Sequence, residues 1–592
     1  MSSPVEIRRH GNRLWRAGAG ALFLASALLA TWPLALHMGR SIPRGTEPAA
    51  TVPLFNLWTI WWNGAWPAAD ARGYWDAPIF APHPAAFALS EPQPATMLVA
   101  PLQCLGAPPA LGFNIYLLLA LWLNGVATRQ LLRRAGLGEP AAIGGGLFVQ
   151  WLPFTHWQLG VLQLIPLFGE AWAILAMIRL VERPTLGRGA GLGLALAVSW
   201  FTCCHHALFF AVLLAASGGW LIASKCRSRE FWRSLTAGVA VASVLIGPGA
   251  VSQYRLLRAE RFQRGPEWDQ QLSLQAGDLA TTFHSPLPVE RWIGMSPQGR
   301  WPASPGWVKC VLAAIGAVVG LGRAGRRRWT LFALTWTCAA ALLAMGPNFR
   351  IGSAVPWEWL RSGVPGFEHV RNVFRFGLFA QLGVAWLAAG GIDALVGGFR
   401  ERSDVTSDPD SARRRFPARR MVAAVAIVLG CVECWPLPQR LLALPSRARG
   451  WTWVDAVRER TPPDALLACL PFPVRLDVAD FETETWWMFH QRHHGRALLN
   501  GYSGYFPDSY RELREGVQTF PDASSVERLG LAGATALAVD RQRVPDGGVE
   551  LAGGGFVYER IFEGGIGGVD VYLRRDGEGR FGEASGRRQK GR

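Results

Sequence analysis

The sequence predicts a mainly α-helical fold: a polytopic transmembrane bundle of about eleven spans followed by a small extracytoplasmic α/β domain. Three observations predict it. Apolar segments long enough to cross hydrocarbon recur along the first three quarters of the chain. The loops between them are alternately basic and free of Lys and Arg. The last quarter turns polar and reads as short strands bounded by Pro and Gly.

The apolar segments run at roughly 17–36, 110–128, 140–155, 162–181, 187–203, 205–223, 232–250, 307–322, 329–346, 374–396 and 421–438. Backbone groups in hydrocarbon must be paired internally, so each is expected to be a helix. A further stretch at 95–106 reads as re-entrant or interfacial. The basic start MSSPVEIRRHGNRLWR resembles a signal peptide, but no small-residue cleavage site follows. It reads as an uncleaved first helix.

Orientation follows from the loops. With residues 1–16 in the cytoplasm, the inner loops carry Arg129, Arg133 and Arg134, then Arg179, Arg183 and Arg188. Further inner loops carry Lys225, Arg227, Arg229 and Arg233, then Arg323, Arg326, Arg327 and Arg328, then Arg400, Arg402, Arg413, Arg414, Arg415, Arg419 and Arg420. The outer turns THWQLG and TCCHH carry none, as the positive-inside rule requires. This accounts for most of the net charge of +17 and argues against nucleic acid as a partner. The 28 tryptophans suit the headgroup layer, and the nine scattered cysteines form no disulfide framework.

The membrane module is therefore expected at 17–438, with long outer loops at 38–94, 251–306 and 347–373. Residues 439–575 read as a periplasmic α/β domain: VDAVRERT as a helix, and ALLACLPF, ATALAVD, GGFVYERIF and GVDVYLR as strands. SDVTSDPDSARRR reads as a polar inner linker and 576–592 as a disordered tail. No internal repeat and no Gly-rich phosphate loop are evident, which argues against an inverted-repeat carrier and against ATP drive within the chain.

The first outer loop holds the most informative residues. Glu47 precedes PLFNLWTIWWN, whose Phe55, Trp58, Trp61 and Trp62 fall at helical spacings, as in an amphipathic helix lying in the interface. The loop ends in FALSEPQP, which places Glu91 where the chain re-enters the membrane. EHVRNVFRFG sets Arg371 and Arg375 at i, i+4 on one face of an entering helix, to hold a phosphate or to snorkel to headgroups. His156 lies in the outer turn THWQLG. Cys203, Cys204, His205 and His206 have the types of zinc ligands without the gapped spacing. His490, His493 and His494 read as solvated surface with weak metal binding as the alternative, and CVEC as helix filler. Tyr502 and Tyr505 would stack on a sugar or pack the domain.

These features resemble the GT-C superfamily of multi-span, lipid-linked-sugar glycosyltransferases, which have an inside N-terminus and a long first outer loop bearing an acid. More narrowly, PLFNLWTIWWN, LSEPQPATMLVAP, PFTHWQLGVLQLIPL, GDLATTFHSPLP, VPGFEHVRNVFRFGLFAQLGVAWLAAGGI and LLNGYSGYFPDSYREL are similar to a group of bacterial GT-C-like membrane proteins. The resemblance implies a polyprenyl-phosphate-sugar donor, an outer-face glycan, lipid or protein acceptor, and a bacterial inner membrane. It implies Glu47 as the catalytic base, and Asn56, Trp62, Glu91, His156, Arg371 and Arg375 as substrate-binding residues. No cofactor or metal site is assigned, and a divalent cation stays compatible with the chemistry. One feature departs from the family, which usually carries an Asp, often paired with a second acid, where this chain has Glu47. Asp70 and Asp76 come only after the aromatic helix. Either Glu47 takes the acid's place, or the chain binds or translocates a lipid-linked glycan without catalysis.

Overall fold

The computed structural model describes residues 4–65, 71–262, 265–280, 301–370, 372–397, 409–435, 438–446, 451–545, 548–565 and 568–575. Arg371, Asp70 and the tail 576–592 lie outside the described residues.

In chain order the principal helices begin with α1 (Pro4–Ala30), then, after strand β1 (Ser41–Pro43), α2 (Thr51–Ala65). Next come α3 (Pro109–Arg134), α4 (Glu139–Gln150), α5 (Phe168–Glu182), α6 (Leu186–Thr202), α7 (Cys204–Ser217) and α8 (Arg229–Ala259). They are followed by α9 (Trp307–Gly322), α10 (Arg327–Ala344), α11 (Phe376–Gly397) and α12 (Pro409–Val432). Every apolar segment read from the sequence thus carries a helix. Four stretches, Pro109–Arg134, Leu162–Glu182, Arg229–Ala259 and Val373–Gly397, are long and apolar enough to cross a bilayer. Ala17–Ala30, Cys204–Ser217 and Trp307–Gly322 are shorter apolar helices. By these helices the chain is a membrane protein. Helix α12 begins at Pro409, so the end of the segment read as a polar linker is helical, and 398–408 lie outside the described residues.

Two compact units form. The first contains Met1–His37, Asn114–Val251 and Gln263–Arg440. Its central helix is α11, buried on nearly every face and packed against α4, α9, α10 and α12. Small residues permit this. A Cβ on Gly316 of α9 would meet the Leu387 carbonyl, and one on Gly391 would meet the Leu312 carbonyl. In hydrocarbon, helices associate through such close backbone approach. The same device joins α6 to α8, where Gly189 and Gly193 face the Ser234 and Gly238 carbonyls. Glu433 caps α9: it accepts from the Trp307 backbone N–H and, at 2.9 Å, from that of Val308. Glu170 accepts from Ser199 Oγ at 2.8 Å, a further structural tie within the bundle.

The second unit contains Met38–Phe113, Ser252–Phe262 and Leu441–Arg592. Strand β2 (Leu441–Ala443) pairs antiparallel with β1, Ile42 opposite Leu442, and so ties the start of the first outer loop to the start of the C-terminal domain. Then come α13 (Thr452–Arg460), β3 (Leu466–Leu470), α14 (Glu482–His494), β4 (Ala497–Leu498), α15 (Asp508–Gly516), α16 (Ala523–Leu531), β5 (Ala536–Asp540), β6 (Glu550–Gly553), β7 (Phe556–Phe562) and β8 (Val569–Arg575). The sheet order is β4-β3-β5-β8-β7-β6. Strand β3 runs parallel to both β4 and β5, while β8, β7 and β6 continue antiparallel. LLACL and ALAVD are continuous apolar runs because the parallel strands are covered on both faces.

Two expectations are corrected here. Helix α2 is not laid in the interface. Thr51, Pro53 to Ile60, Trp62 and Asn63 are all buried, and α2 packs against α14. Its apolar residues surround the helix instead of forming a stripe, and a helix hydrophobic all round is a buried one. The Trp58 indole N–H donates to Gln491 Oε1 at 2.8 Å, which satisfies the one polar atom that ring buries. The histidines of α14 are not solvated surface either. The rings of His490 and His493 lie 5.0 and 4.4 Å from that of Trp451, and His494 accepts from the Arg496 backbone N–H at 3.0 Å. Burial pushes His490 and His494 down to about 3, so both are neutral packing groups.

Glu484 of α14 is buried, and burial pushes its carboxyl up to about 8 although the Asn500 amide donates to it at 3.0 Å. The folded state therefore holds a proton that the unfolded chain releases near pH 4.5. Stability from this group is full below that pH and is lost as pH rises towards 8. Glu484→Gln is expected to remove this decline: the thermal midpoint of the variant should gain on wild type as pH is raised across that window, as differential scanning fluorimetry would register.

Candidate functional site

The second unit holds Asn56, Trp62, Asn63 and the segment around Glu91 in one clasp. Asn56 and Asn63 lie two turns apart and share a face of α2. The Asn63 amide donates to the Pro92 carbonyl at 2.7 Å, the Gln93 carbonyl at 3.0 Å and Thr96 Oγ1 at 2.8 Å, and Tyr74 donates to its oxygen at 3.0 Å. Gln93, held in the left-handed region, donates to Asn56 Oδ1 at 2.7 Å. Trp62 donates to the Tyr74 carbonyl at 2.9 Å. From α8, Gln253 donates to the Ser90 carbonyl at 2.9 Å.

Glu91 lies between the two clamped residues and is 6% exposed. Its chain direction is thus set from both sides. Asn56, Trp62 and Glu91 belong together, the first two as the framework that positions the third. Glu47 stands apart from the clasp, half-buried in the turn before α2. Arg44 Nε donates to its carbonyl at 2.9 Å, and the Arg44 guanidinium also reaches the Pro48 carbonyl. Asp76 is engaged: its Oδ1 accepts from the Ala85 backbone N–H at 2.7 Å.

The first unit holds the other two described candidates. His156 sits in the short helix Pro153–Trp157, buried, its Nε2 on the Gln150 carbonyl at 2.8 Å. Arg375 ends the 3₁₀ turn Val373–Arg375, half-buried, directly before α11. The turns meet through aromatic rings: Phe154 lies 5.7 Å from Phe374, and Trp301 stacks on Phe374 at 3.8 Å. Asn372 has φ −99° and ψ 64°, outside the helical region. Arg375 thus stands in a 3₁₀ turn before the α-helix starts, and Arg371 lies outside the described residues.

Gln381 escaped the sequence reading. From inside α11 its amide donates to the Pro302 and Ser304 carbonyls at 2.7 and 3.0 Å, and its oxygen accepts from the Phe154 N–H at 3.2 Å. A glutamine inside an otherwise apolar span was the available signal. Tyr502 and Tyr505 take the packing role: Tyr502 lies edge-on to Phe55 at 5.4 Å, and Tyr505 lies 4.6 Å from Phe262.

A cleft of about 580 Å³ opens in the C-terminal domain. Phe472 and Val474 follow β3, Arg543 follows β5, and Asp480, Glu482 and Trp486 bring the start of α14. The order β4-β3-β5 makes successive right-handed crossovers run in opposite directions from β3. The cleft lies outside the carboxyl ends of β3 and β5, at the point where that order reverses, the usual ligand position in such sheets. An indole face beside carboxylates and an amide suits a hydroxyl-rich ligand.

No family model matches the sequence. No curated protein matches it either. Solved structures do. The archaeal oligosaccharyltransferase AglB from Archaeoglobus fulgidus, in complex with an inhibitory peptide and a dolichol-phosphate, aligns with a TM-score of 0.53 at 10% identity, over 90% of this chain and 70% of its own. The arabinofuranosyltransferase AftD from Mycobacteria aligns with a TM-score of 0.50 at 14% identity, over 95% of this chain and 40% of AftD. The chain shares the fold of these two structures. At these identities the likeness establishes the fold and leaves chemistry to the residues.

Asn63→Ala is expected to release the loop at Pro92–Thr96. Several buried polar groups would lose their partner, at about 2 kcal/mol or more, and thermal unfolding in detergent should begin at a lower temperature.

Proposed function

We propose that this chain is a membrane glycosyltransferase, moving a sugar from a polyprenyl-phosphate-linked donor to an acceptor on the extracytoplasmic face. The observation that carries the proposal is the GT-C fold together with a first loop that holds Glu91 on a fixed frame and sets Glu47 just before α2. AglB was solved with a dolichol-phosphate, a polyprenyl phosphate, and this is the donor class we assign. The proposed topology keeps about eleven spans, an inside N-terminus and a periplasmic C-terminal domain.

In the proposed reaction Glu47 takes the proton of the acceptor hydroxyl as its oxygen attacks the anomeric carbon. The bond from that carbon to the phosphate oxygen breaks, its electron pair leaves with the polyprenyl phosphate, and the configuration inverts. Arg375 and Arg371 are assigned to the departing phosphate, where charge develops. Glu91 and His156 are assigned to substrate hydroxyls, with Asn56 and Trp62 holding the loop. An acceptor glycan is assigned to the Trp486 cleft.

Purified protein would be given polyprenyl-phosphate sugars and the free polyprenyl phosphate measured. Glu47→Gln should lower its release about a hundredfold or more. Undiminished release would remove Glu47 as the base, and Glu91→Gln would then be the decisive variant. Trp486→Ala is expected to raise the acceptor KM about tenfold with kcat little changed, since it removes binding common to ground and transition states. The second reading, a non-catalytic carrier of lipid-linked glycan, is favoured by Asp76, whose Oδ1 already accepts from the Ala85 backbone N–H. Donor binding without release would support it.

A further inference from the structure

A second cavity of about 580 Å³ lies in the first unit, among α1, α3, α4 and α5. It does not touch the residues assigned above. Its floor is apolar: Phe23 of α1, Trp122 and Val126 of α3, and Leu175 of α5. Trp122 donates to the Gly20 carbonyl at 2.9 Å, which fixes α1 against α3. The rim is cationic. Arg129, Arg133 and Arg134 come from the end of α3 and Arg179 from the end of α5.

Two carboxylates answer these four guanidiniums. Glu139, at the start of α4, pairs with Arg129 and, at 3.1 Å, with Arg133. Glu182 pairs with Arg134. The rim keeps an excess of positive charge. Each guanidinium also has more N–H donors than these contacts use, since each offers five.

The positive-inside rule accounts for arginines at this end of the bundle but not for a cavity with a separate apolar floor. From Trp122 to Arg133 the cavity follows α3 for about 16 Å. A free phosphate would need the rim alone. A neutral lipid would need the floor alone. Rim and floor together fit one amphiphile, an anionic headgroup on a hydrocarbon chain.

We propose that this cavity binds a lipid phosphate, its anion among Arg129, Arg133 and Arg179 and its proximal hydrocarbon on Phe23, Trp122, Val126 and Leu175. Basic pockets between membrane helices hold anionic headgroups by this chemistry. Two sources supply it: a glycerophospholipid or a polyprenyl phosphate. The proposal does not depend on the transferase reading.

The test is native mass spectrometry of the full chain released from detergent, after separate incubation with phosphatidylglycerol, phosphatidylcholine and undecaprenyl phosphate. An adduct with either anionic lipid, at about tenfold over phosphatidylcholine, is expected. The larger of the two anionic signals identifies the source. Arg133→Gln with Arg179→Gln should cut that adduct about tenfold. Val126→Trp fills the floor while leaving every charge in place, and should cut it likewise even if the arginine variant fails to fold. Equal retention of phosphatidylcholine, or an anionic adduct that survives Val126→Trp, would overturn the proposal.

Discussion

The burial of α2 against α14 is the constraint on which the second unit depends. A helix bearing Phe55, Trp58 and Trp62 cannot face water, and it finds its cover in the C-terminal domain more than four hundred residues away in sequence. The bond from Trp58 to Gln491 makes that cover specific, because the buried indole N–H needs an acceptor at one place. Once α2 is seated, its opposite face presents Asn56 and Asn63 to the returning loop, and that loop carries Glu91. The positioned acid is thus a consequence of tertiary packing at one remove.

A different physics organises the first unit. Apolar burial alone does not hold helices together in hydrocarbon. Contact between α9 and α11 relies on Gly316 and Gly391, where backbones approach too closely for any side chain. Polar groups then fasten the ends: Glu433 at the start of α9, Gln381 at the segment 302–304, and Arg326 on Asp393, near the end of α11, at 2.6 Å. Such ties are strong where water is scarce, since an unpaired group there has no alternative partner.

Much of this was legible in advance. Apolar length marked each helix of the bundle, since nothing else in the chain satisfies hydrocarbon. Strands β3, β5, β7 and β8 were legible because Pro and Gly bound apolar runs of strand length. Strands β4 and β6 were missed: ALLN and VELAGG are too short or too glycine-rich to stand out. Helix α14 was missed as a packing helix because ETETWWMFHQRHH reads as polar, and only its setting among Trp451, Trp453 and α2 makes His490 and His494 neutral packing groups.

By itself the sequence determined what local composition determines: which segments are apolar enough to leave water, which loops are too basic to cross, and which residues carry acid, guanidinium or imidazole. The partners of those residues were decided only by the tertiary structure. The spacing around Arg375 suggests an α-helical face, yet Arg375 ends a 3₁₀ turn directly before α11. The spacing of the tryptophans of α2 suggests an interfacial helix, yet α14 buries it. Periodicity reports the tendency of a segment taken alone, whereas burial is a property of two surfaces, and the second surface here lies far along the chain.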